Sequence, residues 1–391
     1  MRPFSIDFEA YSEQAILSAF LKAAKAHQAS IIIWCEPGQK SVCLLLNFSK
    51  ALSCGITGNQ SAGFIFSPFI TEDKHSFFLQ AELLYFLDNK QLVEKNNLNP
   101  AKTKDFLSTV NEYLSSNSPV DYFISFCAKT QNSEFKDCFI NLVEKGLDEI
   151  KHDALQKVVL ARTKTIALPQ EFNLLEIFQK LRQFYPQQFI SLISTAEFGS
   201  WLGCSPELLL SVNGREIETT ALAGTKLKDQ AWTTKEYHEQ ALVTEFIRQQ
   251  LRQLDVDHYR QTRSSSYSLG AFKHLKTQFK ITLDSELAVR PFSARLLNVL
   301  HPTSAVCGMP QQNAQAFIQQ YEDFDRQLYC GYLGPCNIQT GQTQIYVNIR
   351  CMQLFEQQAV LYAGAGITQY SDPIKEWEET NLKCQTLLDF I

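Results

Sequence analysis

The chain has 391 residues, 45% of them hydrophobic and 20% charged, with a formal net charge of -5. That is the composition of a soluble globular protein, long enough for one large domain or two ordinary ones. Lys and Arg are nowhere concentrated, which argues against a nucleic-acid or membrane-surface partner, and no uncharged apolar run reaches membrane-spanning length. The N-terminal MRPFSIDFEAYSEQ lacks a basic start followed by an apolar core, so no signal peptide is expected. The 11 cysteines are scattered singly, without Cys-x-x-Cys. They read as reduced, mostly buried thiols of a cytoplasmic protein, and zinc is not expected.

In chain order, ASIIIWCEPGQKSVCLLLNFS reads as strand, Pro-Gly turn and strand, and GFIFSPF and HSFFLQAELLYFL continue the β pattern. Residues 91–133 are polar, with DFLSTVNEYL as a short helix, and form the candidate boundary or a long surface insertion. Beyond them EFKDCFINLVEKGLDEI is helical, KVVLARTKTIAL is a β-branched strand and NLLEIFQKLRQFY is another helix. FISLIST, SWLGCSPELLLSV and REIETTALAG suggest a strand meander turned at Val-Asn-Gly. TTKEYHEQALVTEFIRQQL starts at a Thr cap. QLYCGYLG, QIYVNIRCMQLF and AVLYAGAGI are three strands, and the last helix begins at Asp372-Pro373, a cap followed by proline in the first turn. Strands in consecutive runs, with helices between the groups, predict an α+β fold with antiparallel sheets.

On the last helix Glu376, Glu379, Thr380 and Lys383 share one face at 100° per residue. The helix after Thr233 repeats the spacing with Glu236 and Glu239. Two helices offering carboxylate pairs, without Cys or His clusters, suit Mg²⁺. A single such pair is equally the mark of a solvated face. Gly364-Ala365-Gly366 ends a strand and leaves backbone N–H groups open to an anion, or serves a tight turn.

Nine segments in order resemble the chorismate-utilising enzymes, the family of isochorismate, salicylate, anthranilate and aminodeoxychorismate synthases. They are KVVLAR (157–162), GCSPELLL (203–210), TTALAGT (219–225), KEYHEQALV (235–243), KHL (273–275), LHPTSAVCG (300–308), DRQLYCGYLG (325–334), VNIR (347–350) and AGAGITQYSDPIKEWEETNLK (363–383). The resemblance implies a single large α+β domain of two packed, mostly antiparallel sheets flanked by helices. Residues 1–133 would be a variable N-terminal part of that domain and 134–391 the chorismate-binding catalytic region.

The resemblance also implies roles. Lys157 activates the water that attacks C2 of chorismate, and Glu207 protonates the C4 hydroxyl as it leaves, as a poor nucleophile and a poor leaving group require near neutral pH. A lysine base must lose its proton, so its pKa has to fall well below about 10.4. Glu239 and Glu379 match direct Mg²⁺ ligands, with Glu236 and Glu376 as partner carboxylates acting through water or supporting the ligands. Tyr329 and Arg350 match residues holding the pyruvyl carboxylate, helped by the backbone of Gly364, Ala365 and Gly366. Lys383 lies nearby and His274 lines the ring pocket.

Within the family, Ala223 stands where covalent aminodeoxychorismate synthases carry a nucleophilic lysine, and Lys157 points to water as the nucleophile. Ala305, where salicylate synthases typically have Thr, favours release of isochorismate over elimination of pyruvate. Gln240 replaces a usual His, Ser304 a Pro and Gln327 a Gly; none removes a proposed catalytic group. The expectation is a Mg²⁺-dependent isochorismate synthase, an isomerase acting as a monomer on chorismate, without an obligate glutaminase partner. The alternatives are a salicylate synthase, an aminating large subunit, or a relative that binds ligand without turnover.

Overall fold

The computed structural model describes residues 6–54, 61–70, 76–95, 99–116, 119–125, 135–270 and 272–391. Residues 1–5 and 126–133, together with His75 and Glu134, carried some of the expectations above and lie outside them. Among the described residues there are two ten-stranded sheets, with every strand pairing antiparallel. From edge to edge the first runs Gly308–Met309, Lys157–Ala167, Gln358–Ile367, Cys351–Leu354, Gly199–Ser205, Phe189–Thr195, Ser30–Cys35, Cys43–Asn47, Leu83–Phe86 and Gln91–Glu94. The second runs Arg260–Gln261, Phe272–Thr282, Glu216–Leu227, Leu208–Asn213, Gln342–Val347, Tyr332–Cys336, Gly63–Ser67, Ser76–Gln80 and Leu52–Cys54, with Ser265–Leu269 added on Phe272–Thr282.

The apolar run IIIW explains how these sheets are layered. Ile31 and Ile33 enter one core while Ile32 and Trp34 enter the other, the alternation of a strand buried on both faces. One core lies between the sheets, where Phe189 stacks on Tyr346 at 4.3 Å and Trp34 meets Phe64 at 5.6 Å. Such pairs add about 0.5–1.5 kcal/mol each beyond their burial. The other core lies under the helices Glu13–Ala26, Pro100–Leu114 and Leu174–Phe184. Two further helices frame the site: Thr234–Gln253 packs on Glu216–Leu227, and Pro373–Leu388 on Gln358–Ile367. Arg162 ties the last helix down, donating to Thr380 Oγ1 at 2.7 Å with its guanidinium 3.9 Å from the Trp377 ring centre. No helix among the described residues is long and apolar enough to cross a membrane.

The expected elements return with three corrections. DFLSTVNEYL is the second part of a longer helix that begins at Pro100, because Asn99 caps it by accepting from Ala101 N at 2.9 Å. SWLGCSPELLLSV is two strands in different sheets, Gly199–Ser205 and Leu208–Asn213. Pro206 has no N–H for a ladder, so the first strand stops before it. QIYVNIRCMQLF likewise divides into Gln342–Val347 and Cys351–Leu354, with Arg350 between them at φ +53°. Helices Glu13–Ala26, Glu286–Leu300 and Gln311–Tyr321 are not anticipated above; the second contains Pro291 and the third is rich in Gln.

Candidate active site

Two of the places where the chain crosses between sheets, at Pro206 and at Arg350, lie side by side. Val347 N donates to Glu207 O and Cys204 N to Arg350 O, each at 3.0 Å. These two crossings open one cavity between them. Glu207, Glu239, His274, Ala305, Tyr329, Arg350, Gly364, Gly366, Glu379 and Lys383 all line it. Lys157, Glu236, Ala365 and Glu376 do not. Ala365 alternates with its glycine neighbours along the strand, so its buried methyl points to the face of the sheet away from the cavity. Of Ala365 only the backbone is left to serve an anion.

Glu207 is 4% exposed, and burial pushes its carboxyl up to about 7 despite the opposing charge of Lys157. Near neutral pH it is divided between acid and carboxylate. Lys157 opens the strand Lys157–Ala167, is fully buried, and pairs through Nζ with Glu239 Oε1 at 3.1 Å. The glycines make room for this pairing. A Cβ at Gly366 would fall 2.2 Å from Glu239 Oε1 and 3.1 Å from Lys157 Cε, and one at Gly364 would fall 2.9 Å from the Tyr329 hydroxyl.

Arg350 donates to Thr386 Oγ1 at 3.0 Å, which aims the guanidinium from its left-handed backbone position. Tyr329 lies in the turn before Tyr332–Cys336 and is the end of a stack in which Tyr362 lies 5.3 Å from Tyr329 and 5.3 Å from Trp201. His274 Nδ1 is 2.9 Å from Gly224 O. A carbonyl only accepts, so Nδ1 carries the hydrogen and Nε2 keeps its lone pair. Burial, with the nearby Arg350 charge, lowers His274 to about 3, so it is a neutral acceptor at physiological pH.

Each of the four site glutamates on the two helices has a lysine partner, Lys157 for Glu239 among them. Lys383 Nζ lies 2.7 Å from Glu379 Oε1 and donates to Gly364 O at 2.7 Å. Lys235 Nζ lies 2.6 Å from Glu376 Oε1 and 3.6 Å from Glu379 Oε2. Lys226 Nζ lies 3.3 Å from Glu236 Oε2. Burial opposes ionisation of Glu379, but the Lys383 and Lys235 charges overcome it and hold its carboxyl below the usual range. Glu376 is pushed the other way by burial and by the charge of Glu379.

Glu236 has a local task that the spacing argument did not foresee. Its Oε2 accepts from Thr233 N at 2.8 Å and Thr233 Oγ1 at 2.7 Å, closing a capping box. The donor set suits a hard divalent cation: all oxygens, with a close-approach glycine at Gly366 and the buried carboxylates of Glu239 and Glu376. Among the described residues, however, no three His, Cys, Asp or Glu side chains converge as a ready ligand set. The lysines hold the charges in their place.

Lys226 and Lys235 are the functional candidates missed in the sequence. The signal available was KEYHEQ itself, a lysine beside a glutamate on a helix argued to gather negative charge. The family departures also find their places. Gln240 donates to Ala221 O at 3.2 Å and Thr277 Oγ1 at 3.1 Å, fastening the helix that carries Glu239 to the second sheet. Gln327 adopts φ +46°, the region glycine favours, and its Oε1 accepts from Gln353 at 3.0 Å. Ser304 is fully buried.

Residues 64–391 match the family model described as chorismate binding enzyme. Isochorismate synthase EntC of Escherichia coli strain K12 is 32% identical over 247 residues, which are 60% of this chain and 62% of that protein. The match thus spans less than two thirds of that relative's length. The structure of MenF, the menaquinone-specific isochorismate synthase from Escherichia coli, superposes with a TM-score of 0.75 at 21% identity, covering 97% of this chain and 92% of that one. Anthranilate synthase component I from Streptococcus pneumoniae TIGR4 superposes with a TM-score of 0.65 at 21% identity, covering 91% and 89%. Together with the cavity at the sheet crossings, the match over 64–391 identifies this chain as a member of the chorismate binding enzyme family.

Proposed function

We propose that this protein is a Mg²⁺-dependent isochorismate synthase, converting chorismate to isochorismate. The observation that carries the reading is the pair of titratable groups around one cavity: Glu207, divided between its forms near neutral pH, and the buried Lys157 one carboxylate away. Loss of the C4 hydroxyl needs a proton, and Glu207 can give it. Attack at C2 needs a proton removed from water, and Lys157 can take it once its nitrogen has left Glu239 and given up its own proton to solvent. One water adds, one leaves, and the ring double bonds shift, so the reaction is a balanced isomerisation.

Arg350 and the backbone from Gly364 to Gly366 are assigned to the pyruvyl carboxylate, with the Tyr329 hydroxyl beside them. The His274 Nε2 lone pair can accept from a substrate hydroxyl, and it cannot act as an acid. Glu239 and Glu379, the two acids of the helices that reach the cavity wall, are assigned as direct Mg²⁺ ligands. Glu376 supports them from behind, and Glu236 does so through the cap it closes. Bound Mg²⁺ would neutralise the ring carboxylate and favour the bond shifts. Ala223 and Ala305, both on the cavity wall, leave no nucleophile or hydroxyl there for amination or pyruvate elimination.

The test is product analysis of purified protein with chorismate and Mg²⁺, with and without ammonium. Isochorismate as the main product supports the reading. Salicylate with pyruvate moves the assignment to the lyase branch, an ammonium-dependent amino product moves it to the aminating branch, and no turnover leaves a binding protein.

A further inference from the structure

Lys235 has no part in the reaction proposed above, yet its Nζ lies 2.6 Å from Glu376 Oε1 and 3.6 Å from Glu379 Oε2, with the side chain 17% exposed. It is the second residue of the helix Thr234–Gln253. That is the positive end of the helix, where the backbone field disfavours a cation. A lysine governed by its own helix would extend into water from there. Here it crosses to the neighbouring helix and sets its head against two acids.

The reason lies in those acids. Glu376 is 1% exposed, and it shares a helix face with Glu379. Two carboxylates gathered out of water need compensating charge, and in this fold a side chain supplies it. The same carboxylates form no ready ligand cluster among the described residues. A divalent cation entering this site therefore competes with an ammonium already in place.

We propose that Lys235 is an internal counter-cation of the metal-free protein, which a divalent metal ion must displace from Glu376 and Glu379 in order to bind. The inference rests on the reading of Glu239 and Glu379 as metal ligands. Its consequence is weak binding of metal alone, because every carboxylate gained by the ion is lost by an ammonium. A dicarboxylate substrate adds negative charge and offsets that loss, so metal and chorismate bind better together than apart.

The test is Mn²⁺ binding to the full chain without chorismate, read from the electron paramagnetic resonance signal of the free ion. Displacement predicts that Lys235→Met binds Mn²⁺ roughly ten- to a hundredfold more tightly than the wild type, the scale of one partly buried charge pair. Lys235→Arg keeps the charge and should stay near the wild type. A purely structural bridge predicts the opposite sign, since its loss would loosen the two helices and weaken Mn²⁺ binding. Unchanged or weaker binding in a Lys235→Met protein that melts cooperatively overturns the proposal. If that variant does not fold, Lys235→Gln, which keeps hydrogen-bond donors without the charge, is measured against the same two outcomes. Absence of Mn²⁺ binding in every variant, with and without chorismate, removes the metal reading and this proposal together. A wild type that binds as tightly as Lys235→Met removes only the counter-cation.

Discussion

The helices Thr234–Gln253 and Pro373–Leu388 begin alike, each with two glutamates three residues apart, yet the four carboxylates end in different surroundings. The difference starts at the caps. Glu236 is the third residue of its helix, the position from which a side chain can reach back to the cap, and it closes a box with Thr233. Glu376 is the fourth residue of its helix, and Asp372 caps alone by accepting from Ile374 N and Lys375 N, both at 3.0 Å. One residue of offset relieves Glu376 of capping and leaves it buried beside Glu379. Equal spacing along a helix thus does not mean equal function; distance from the cap decides.

The largest effect is expected at the acid that lies on neither helix. Glu207→Gln should lower turnover by roughly 10²–10⁴-fold while chorismate binding changes little, measured as separate rate and binding assays. A large loss of binding with near-normal turnover would show that Glu207 anchors the substrate instead. The same variant tests the titration. A carboxyl that titrates near 7 when folded and near 4.5 when unfolded holds its proton more tightly in the folded state. The stability this gives is complete below about 4.5 and is lost as pH rises through 7. Glu207→Gln should therefore unfold at higher denaturant than the wild type at pH 8, by up to about 3 kcal/mol, and show little gain at pH 5. The descending limb of kcat/KM near pH 7 should vanish with it.

Next in size is the contrast between the two helices. Glu379→Gln should raise the Mg²⁺ concentration needed for half-maximal activity by tenfold or more, whereas Glu236→Gln, which can still close the cap, should shift it far less. Equal shifts in a Mg²⁺ titration of the two variants would erase the distinction drawn here. Smaller again are the caps. Glu236→Ala and Asp372→Ala should each cost about 1 kcal/mol of stability in denaturant unfolding. The smallest change is expected from Gln327→Gly, within about 1 kcal/mol of the wild type, because relief at φ +46° is offset by loss of the bond from Gln353.

Much of this molecule could be read along the chain. The alternation of IIIW, the Thr233 and Asp372 caps and the strand Lys157–Ala167 all have local causes, and local causes are visible in order of residues. The misreadings have a common origin. SWLGCSPELLLSV and QIYVNIRCMQLF each look like one strand because apolar residues continue on both sides of the break, but at Pro206 and at Arg350 the chain leaves one sheet for the other. Those two breaks supply Glu207 and Arg350. Both residues were nominated in the sequence, but the strand breaks that carry them to one cavity were not.

The sequence by itself determined most of the elements and the antiparallel class and nominated the acids, because helix caps, side-chain periodicity and short motifs are written within a few residues of one another. Only the tertiary structure decided which oxygen meets which charge. Lys157 meets Glu239 across the opening of Gly366, Lys235 crosses from one helix to the next, and Glu236 turns back to its own cap. The first two outcomes depend on Coulomb energy and desolvation at a few ångströms between segments far apart in the chain, and no local rule encodes such distances.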